Sequence, residues 1–157
     1  MIKIKYLLSV LFLSTVLFAQ TSKELAGSWQ AAPHVAAGYD DTFTFNDDGT
    51  FYYFSNQMNC AKREVGFGGT WELNGKSIQL MITHYDIEKG GWIEPSDGSC
   101  SSDSMLVGST IVKVLVFPFE QEVLKIANYK LETKDGYDRY TMEINNRKHW
   151  YFSKFEY

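Results

Sequence analysis

The chain is poor in proline, basic charge and helical periodicity. Three prolines in 157 residues provide no Pro-rich linker, so we expect a single folded domain. The 15 Lys and Arg are outnumbered by 19 Asp and Glu, which gives a net charge of −4. Nucleic-acid-binding domains carry a basic patch. The acidic balance therefore argues against a nucleic-acid partner.

Common catalytic and cofactor motifs are also missing. The sequence holds no GxSxG, P-loop, dinucleotide fingerprint, HExxH or CxxC pattern. The three histidines, His34, His84 and His149, lack metal-ligand spacing, and His149 falls on the polar side of its predicted strand. An enzyme would require His84 or His149 to meet a carboxylate in a cleft. We expect no catalytic residue, metal or cofactor.

The first nineteen residues resemble an export signal. Lys3 and Lys5 precede an apolar run over 6–18, and the small Ala19 stands at a suitable cleavage position. This run is shorter than the roughly 20 residues of a membrane-spanning helix. We predict a signal peptide at 1–19, a domain at 20–157, no membrane span after cleavage, and a periplasmic or secreted protein.

Two cysteines, Cys60 and Cys100, follow this segment. An even cysteine count in an exported chain favours a disulfide over free thiols. The bridge would be structural, because neither a CxxC pattern nor an adjacent histidine points to redox or metal chemistry.

Hydrophobic residues recur with a period of two, and turn signals come at short intervals, which indicates an all-β chain. Tight turns such as Asn74-Gly75 join neighbouring strands in antiparallel order. The Val65–Gly69 stretch predicts a bend or bulge, and Pro118 predicts a break between two strands. Strands are predicted near 28–32, 39–46, 50–57, 65–74, 77–85, 106–117, 123–133, 137–144 and 147–155. An amphipathic sheet of 8–9 strands buries its apolar face by closing into a barrel.

Aromatic residues are abundant, with 11 Phe, 10 Tyr and 4 Trp. They either fill the core of a small barrel or line a cavity for a small hydrophobic or aromatic ligand. Alternation selects the inward-facing residues, with Trp150 and Phe152 placed inward on the last strand. The predicted ligand-binding residues are Phe43, Phe45, Phe51, Tyr53, Trp71, Leu80, Tyr140, Met142 and Trp150.

The segment at 88–104 is rich in Gly, Ser and Asp and predicts a long loop. Loops of this length without regular structure are often functional. The alternative to a ligand-binding barrel is therefore a protein-interaction module, such as an inhibitor of a cell-wall hydrolase, that uses this loop on a barrel scaffold.

Three short motifs carry a family resemblance. They are Gly27-Ser28-Trp29, the turn at Asp48-Gly49-Thr50-Phe51, and Gly69-Thr70-Trp71-Glu72-Leu73 followed by Asn74-Gly75. In this order they resemble the lipocalin-like domains of exported proteins from Bacteroidetes-type bacteria.

The resemblance implies an antiparallel up-and-down lipocalin-like β-barrel with a central cavity and a non-catalytic binding function. It gives Gly27 and Trp29 a structural role at the closed end of the barrel. It also makes Arg147 the candidate arginine that covers this tryptophan.

Overall fold

The computed structural model describes residues 22–33, 40–98, 100–134 and 136–152. The predicted signal peptide at 1–19, His34 and the last predicted strand residues at 153–155 lie outside these described residues.

Eight antiparallel strands follow one another around a closed barrel. After the short helix α1 (Ser22–Leu25) come β1 (Gly27–Gln30), β2 (Thr42–Phe45), β3 (Thr50–Phe54), β4 (Glu64–Asn74), β5 (Ser77–Pro95), β6 (Ser104–Lys134), β7 (Tyr137–Ile144) and β8 (Arg147–Phe152). Each strand pairs with the next, and β8 pairs with β1 to close the ring. The predicted all-β up-and-down barrel is confirmed, with eight strands.

The turns lie where the sequence predicts them. Asn46 and Thr50 enclose the β2–β3 turn through a backbone hydrogen bond of 2.8 Å from the Asn46 N–H to the Thr50 carbonyl. Asn74 pairs with Ser77 around the β4–β5 turn. The predicted irregularity in β4 is present as a register shift between Gly68 and Gly69. Short connections thus fix the antiparallel meander.

One continuous core fills the barrel. On β5 the core includes Ile78, Leu80 and Ile82, which recur at every second position as in a strand with one buried face. Directly paired residues of an antiparallel sheet share a face, so the register identifies every inward position. The core residues are Leu25, Trp29, Phe43, Phe45, Phe51, Trp71, Ile78, Leu80, Ile82, Leu124, Ile126, Met142 and Ile144.

The two strands predicted at 106–117 and 123–133 are one strand, so that separation is wrong. Strand β6 continues past Pro118 because the ladder with β5 jumps from the Leu115–His84 pair to the Glu120–Ile82 pair. Pro118 falls in the resulting bulge, where no ladder hydrogen bond requires its missing N–H.

The loop predicted at 88–104 is also wrong. Strand β5 runs on to Pro95 and pairs with β6 down to Ser104, so the connecting loop spans only 96–103. Gly91 sits at a φ of +67° and close to the Val107 carbonyl, a position that only glycine occupies without strain. A glycine that predicts a loop here instead permits a bend within a paired strand.

Strand β8 presents the face opposite to the one predicted. His149 pairs with the core residue Met142, and Tyr151 pairs with Trp29, so His149 and Tyr151 point inward. Trp150 lies on the outer face, where Lys134 and Lys148 place their ammonium groups 5.2 and 4.3 Å from its ring centroid. The aliphatic stems of lysines can cover an outward aromatic ring.

The predicted disulfide joins Cys60, in the β3–β4 loop, to Cys100, in the β5–β6 loop. Backbone hydrogen bonds reinforce this link: the Ser101 N–H donates to the Met58 carbonyl at 2.7 Å, and the Leu106 N–H donates to the Cys60 carbonyl at 2.8 Å. The projecting β5–β6 hairpin is therefore attached to the barrel at two levels.

Candidate functional site

A cavity of about 460 Å³ opens at one end of the barrel, which we call the mouth. This volume is within the range of about 300–1,000 Å³ typical of small-molecule sites. Six strands contribute to it, so it is the upper part of the barrel interior. Its lining consists of Asp41, Phe43, Tyr53, Glu64, Phe67, Glu122, Leu124, Ile144, Asn145, Arg147 and His149.

One wall of the mouth is a row of aromatic rings. Phe43, Tyr53 and Phe67 occupy successive paired positions on β2, β3 and β4, and Tyr85 extends the row onto β5. Their ring centroids are separated by 4.8, 4.7 and 5.6 Å in this order. Such spacings are those of favourable aromatic pairs, and the row forms a continuous apolar wall.

The wall contributed by β6 combines apolar and acidic residues. Glu122 pairs with Leu80, and Leu124 pairs with Ile78, so both residues share the inward face of the sheet. Glu120 is the next inward position, and its carboxylate accepts the Tyr85 hydroxyl at 2.8 Å. The β6 side of the mouth therefore changes from Leu124 at depth to carboxylates at the rim.

The pKa of Tyr85 is raised in this environment. Burial, the hydrogen bond to Glu120 and the negative charges of Glu120, Glu64 and Glu122 together raise the pKa of Tyr85 to about 12. Three carboxylates from two strands thus act on a single phenol. The rim next to the aromatic row is negatively charged.

Arg147, the arginine of the lining, forms ion pairs with two aspartates of the protein. Its guanidinium donates from Nη1 to Asp41 at 2.7 Å and from Nη2 to Asp40 at 3.2 Å. Burial opposes ionisation of Asp41, but hydrogen bonds from the Asn56 N–H and from Arg147 hold the pKa of Asp41 below its usual value. Asp41 also accepts the Tyr53 hydroxyl. Arg147 therefore binds the loop before β2 to β8 and does not cover Trp29, contrary to the expectation from the resemblance.

His149 lies at the inner part of the mouth and is 3 % exposed. Its ring packs 6.0 Å from Phe43, and its Nδ1 is 2.8 Å from the Arg147 carbonyl oxygen. A carbonyl only accepts, so Nδ1 carries the proton and Nε2 of the neutral ring is an acceptor. Burial lowers the pKa of His149, which favours this neutral form.

The opposite end of the barrel is closed by tryptophans whose N–H groups are satisfied within the fold. The Trp29 indole donates to the Leu25 carbonyl at 2.8 Å, and the Trp71 indole donates to the Asn46 carbonyl at 3.0 Å. Gly27, at a φ of +136°, lies against the Tyr151 ring, where a Cβ atom would collide with it. Both residues of the Gly27–Trp29 motif thus have structural positions.

A larger hollow of about 520 Å³ lies at this closed end, between α1, the β2–β3 turn and the end of β4. Turn and helix residues such as Lys23, Asp47 and Glu72 form much of its boundary. The mouth is the better candidate site, because core-facing side chains of six strands form its lining.

The structure divides the predicted ligand-binding residues into three groups. Phe43 and Tyr53 line the mouth. Tyr140 stacks on Tyr129 at 5.4 Å and is 44 % exposed, Trp71 lies at the closed end, and Trp150 lies on the outer face. The remaining predicted residues are packed in the core: Phe45, Phe51, Leu80 and Met142.

The polar residues of the mouth are absent from the ligand-binding residues that the sequence predicts. The sequence does contain a signal for the carboxylates, because alternating positions of a strand share a face. On β6 these positions are Glu120, Glu122, Leu124 and Ile126, which place two carboxylates on the same face as two core residues. No comparable signal exists for His149, because four large residues stand in succession on β8.

Neither a metal-ligand cluster nor a helix that could span a membrane is found in the described part of the chain. Within residues 22–33, 40–98, 100–134 and 136–152, no group of three His, Cys, Asp or Glu side chains is arranged to hold a metal ion. No helix in those ranges has the length and apolar character that a bilayer crossing needs.

His84 lies on the outer face near Tyr52, with its Nδ1 3.1 Å from the Thr83 hydroxyl.

An antiparallel meander closed into a barrel with a hollow at one end belongs to the architectures that enclose small ligands. The family model for lipocalin-like domains matches residues 23–107, more than half of the chain. The chain belongs to this lipocalin-like family, as its glycine–tryptophan motifs indicate. No curated protein and no solved structure matches the chain.

The family indicates a general class of function, and the disulfide indicates a type of compartment. Lipocalin-like domains are in general binding proteins for small hydrophobic molecules rather than enzymes. The Cys60–Cys100 bridge is typical of proteins that fold outside the reducing cytosol.

Proposed function

We propose that this protein is an exported, non-catalytic carrier of a small hydrophobic or aromatic molecule, formed by residues 20–157 after removal of a signal peptide. The observation that carries the proposal is the 460 Å³ mouth with its row of aromatic rings. Apolar walls with a few fixed polar groups are the usual composition of small-molecule sites.

The binding mode follows from the two walls. An aromatic or aliphatic body packs between the Phe43–Tyr53–Phe67 row on one side and Leu124 with Ile144 on the other. Polar groups at the rim then orient whatever end of the ligand reaches solvent. The packed core below, with Phe45 and Phe51, forms the floor and limits the depth of entry.

A titration with a neutral fluorescent probe, N-phenyl-1-naphthylamine, tests this proposal. We expect saturable enhancement of its fluorescence at one equivalent per chain. Phe67→Ala removes a ring from the wall and should weaken binding at least fivefold. Phe54→Ala is the matched control, because Phe54 alternates with the inward Tyr53 and lies outside the lining. Absence of saturable binding, or an equal loss in both variants, would contradict the proposal.

A protein-interaction module is the second candidate, favoured by one observation. The β5–β6 hairpin projects beyond β4 and exposes large apolar side chains, with Trp92 57 % and Ile93 52 % exposed. In this function the hairpin, rather than the predicted 88–104 loop, would engage a partner such as a cell-wall hydrolase.

The two candidates separate in one assay. Trp92→Ser with Ile93→Ser should abolish inhibition of peptidoglycan hydrolysis by a lysozyme-type enzyme if the hairpin is the interaction element. Phe67→Ala should leave that inhibition unchanged. If the protein binds the fluorescent probe but does not inhibit such an enzyme, the result supports the carrier function and contradicts the interaction module.

A further inference from the structure

The polar side chains that face the mouth are mostly hydrogen-bond acceptors. Glu64 and Glu122 contribute carboxylates, and the neutral His149 ring lines the same hollow with Nε2 as an acceptor. The Tyr53 hydroxyl is donated to Asp41, which leaves the Asn145 amide as the neutral side-chain donor of the lining. A ligand that meets these groups must therefore supply donors.

The positive charge of the lining is neutralised by its own neighbours. Arg147 is shared between Asp40 and Asp41, so its two partners already exceed its charge by one unit. Glu64 has only a long contact of 3.8 Å to Lys62, with both side chains about two-fifths exposed. Within the described residues, Glu122 forms no ion pair. An anionic ligand would thus meet net repulsion at the rim.

The aromatic wall points to the same charge. The faces of phenyl and phenol rings carry negative electrostatic potential and attract cations, with Phe43, Tyr53 and Phe67 presented together. Acceptors on β4 and β6 and aromatic rings on β2 to β4 therefore line one hollow. These are two independent features, one of charge and one of ring geometry.

We propose that the mouth takes an organic ammonium ion: an aromatic or aliphatic body that enters the apolar interior and a positively charged amine that stays at the rim near Glu64 and Glu122. This inference rests on the proposed carrier function and narrows its ligand class. The same groups disfavour a fatty acid or another anionic amphiphile.

A matched series of probes tests the charge preference directly. 1-Naphthylmethylamine, 1-naphthylmethanol and 1-naphthoate share a naphthalene ring and differ in charge. Calorimetric titration of the disulfide-bonded protein at pH 7.5 should give a dissociation constant for the amine at least tenfold lower than for the alcohol. The carboxylate should bind most weakly, and added salt should weaken the amine alone.

Variants locate the effect in the mouth. Glu122→Gln and Glu64→Gln together should reduce the affinity for the amine to that for the alcohol, while the affinity for the alcohol stays unchanged. Glu143→Gln is the control, because it removes one charge from an outward position between the inward Met142 and Ile144.

The outcomes distinguish the two proposals. Equal affinity for the three probes, or tighter binding of the carboxylate, overturns the ammonium preference and leaves the carrier function intact. Loss of amine affinity in Glu143→Gln to the same extent as in the double variant also overturns it. Failure of all three probes to bind overturns the carrier function, and the ammonium preference with it.

Discussion

The two ends of the barrel contain similar aromatic residues but treat their polar atoms differently. At the closed end, the indole N–H groups of Trp29 and Trp71 reach backbone carbonyls of neighbouring segments. At the mouth, the carboxylate residues Glu64 and Glu122 line a hollow. Satisfied polar groups stabilise a fold, whereas acceptors directed into a cavity are available to a ligand. The comparison therefore separates residues that hold the barrel together from residues that can bind.

The largest expected effect tests the closed end. Trp29 is fully buried and contacts Tyr129 and Tyr151 at centroid distances of 6.0 and 5.2 Å. Trp29→Ala should lower the free energy of unfolding by about 3–5 kcal/mol, because it leaves a cavity and removes a hydrogen bond. Urea denaturation measures this. Phe67→Ala, at the mouth, should cost clearly less, and an equal cost would remove the distinction between the two ends.

The disulfide gives the next largest effect, and it acts at the mouth. The bridge closes a loop with a sequence separation of 40 residues. Cys60→Ser with Cys100→Ser should lower the free energy of unfolding by about 2–4 kcal/mol. Reduction of the unmodified protein should reproduce the loss in urea denaturation. A change below about 1 kcal/mol would mean that backbone hydrogen bonds such as Leu106 to Cys60 suffice to hold the hairpin.

The closed end is also the part that the sequence predicts best. Its determinants are local: a glycine two residues before Trp29, and turn residues at fixed offsets such as Asn74-Gly75. The mouth depends on which face of each strand is inward. On β8 the run from His149 to Phe152 is large at every position, so alternation cannot choose a face. Lys134 and Lys148 place their ammonium groups near Trp150 on the outer face, and Lys134 comes from β6, which local sequence on β8 does not reveal.

The hairpin illustrates the same limit. Glycines at 90 and 91 predict a loop when the partner strand is unknown. Strand β6 supplies that partner, since Gly90 pairs with Ser109 and Trp92 pairs with Val107. Tertiary pairing therefore overrides a local turn signal.

A smaller effect, dependent on pH, should come from His149. Burial lowers the pKa of His149 below its ordinary value of about 6.5. As pH falls through 6.5, the unfolded chain gains a proton that the folded chain does not, so the free energy of unfolding decreases. His149→Gln should flatten the dependence between about pH 7 and pH 5. Urea denaturation at several pH values measures it.

The charged groups near His149 should contribute little to the pH dependence of stability between about pH 7 and pH 5. Arg147 on β8, Asp40 and Asp41 before β2, Glu64 on β4 and Glu122 on β6 are the charged groups around His149. The pKa of Asp41 is lowered, so its contribution is present above the ordinary carboxyl range and is lost only at more acidic pH. Burial and Lys113 also lower the pKa of His84 on the outer face, but His84 is less buried than His149. His84→Gln should therefore flatten the curve less than His149→Gln, and an equal flattening would mean that burial at the mouth is not the cause.

The smallest effect on stability should come from Arg147, whose replacement should change the affinity for an amine only a few-fold. Its side chain is 54 % exposed, and exposed ion pairs contribute at most about 1 kcal/mol. Arg147→Gln should therefore change the free energy of unfolding little, while it frees the negative charge of Asp40 and Asp41 at the rim. We expect the affinity for 1-naphthylmethylamine to rise a few-fold and that for 1-naphthylmethanol to stay constant in the same calorimetric titration. Weaker binding of the amine would contradict this expectation. It would mean that Arg147 holds the residues of the mouth in place, a structural role like that of Trp29 and Trp71 at the closed end.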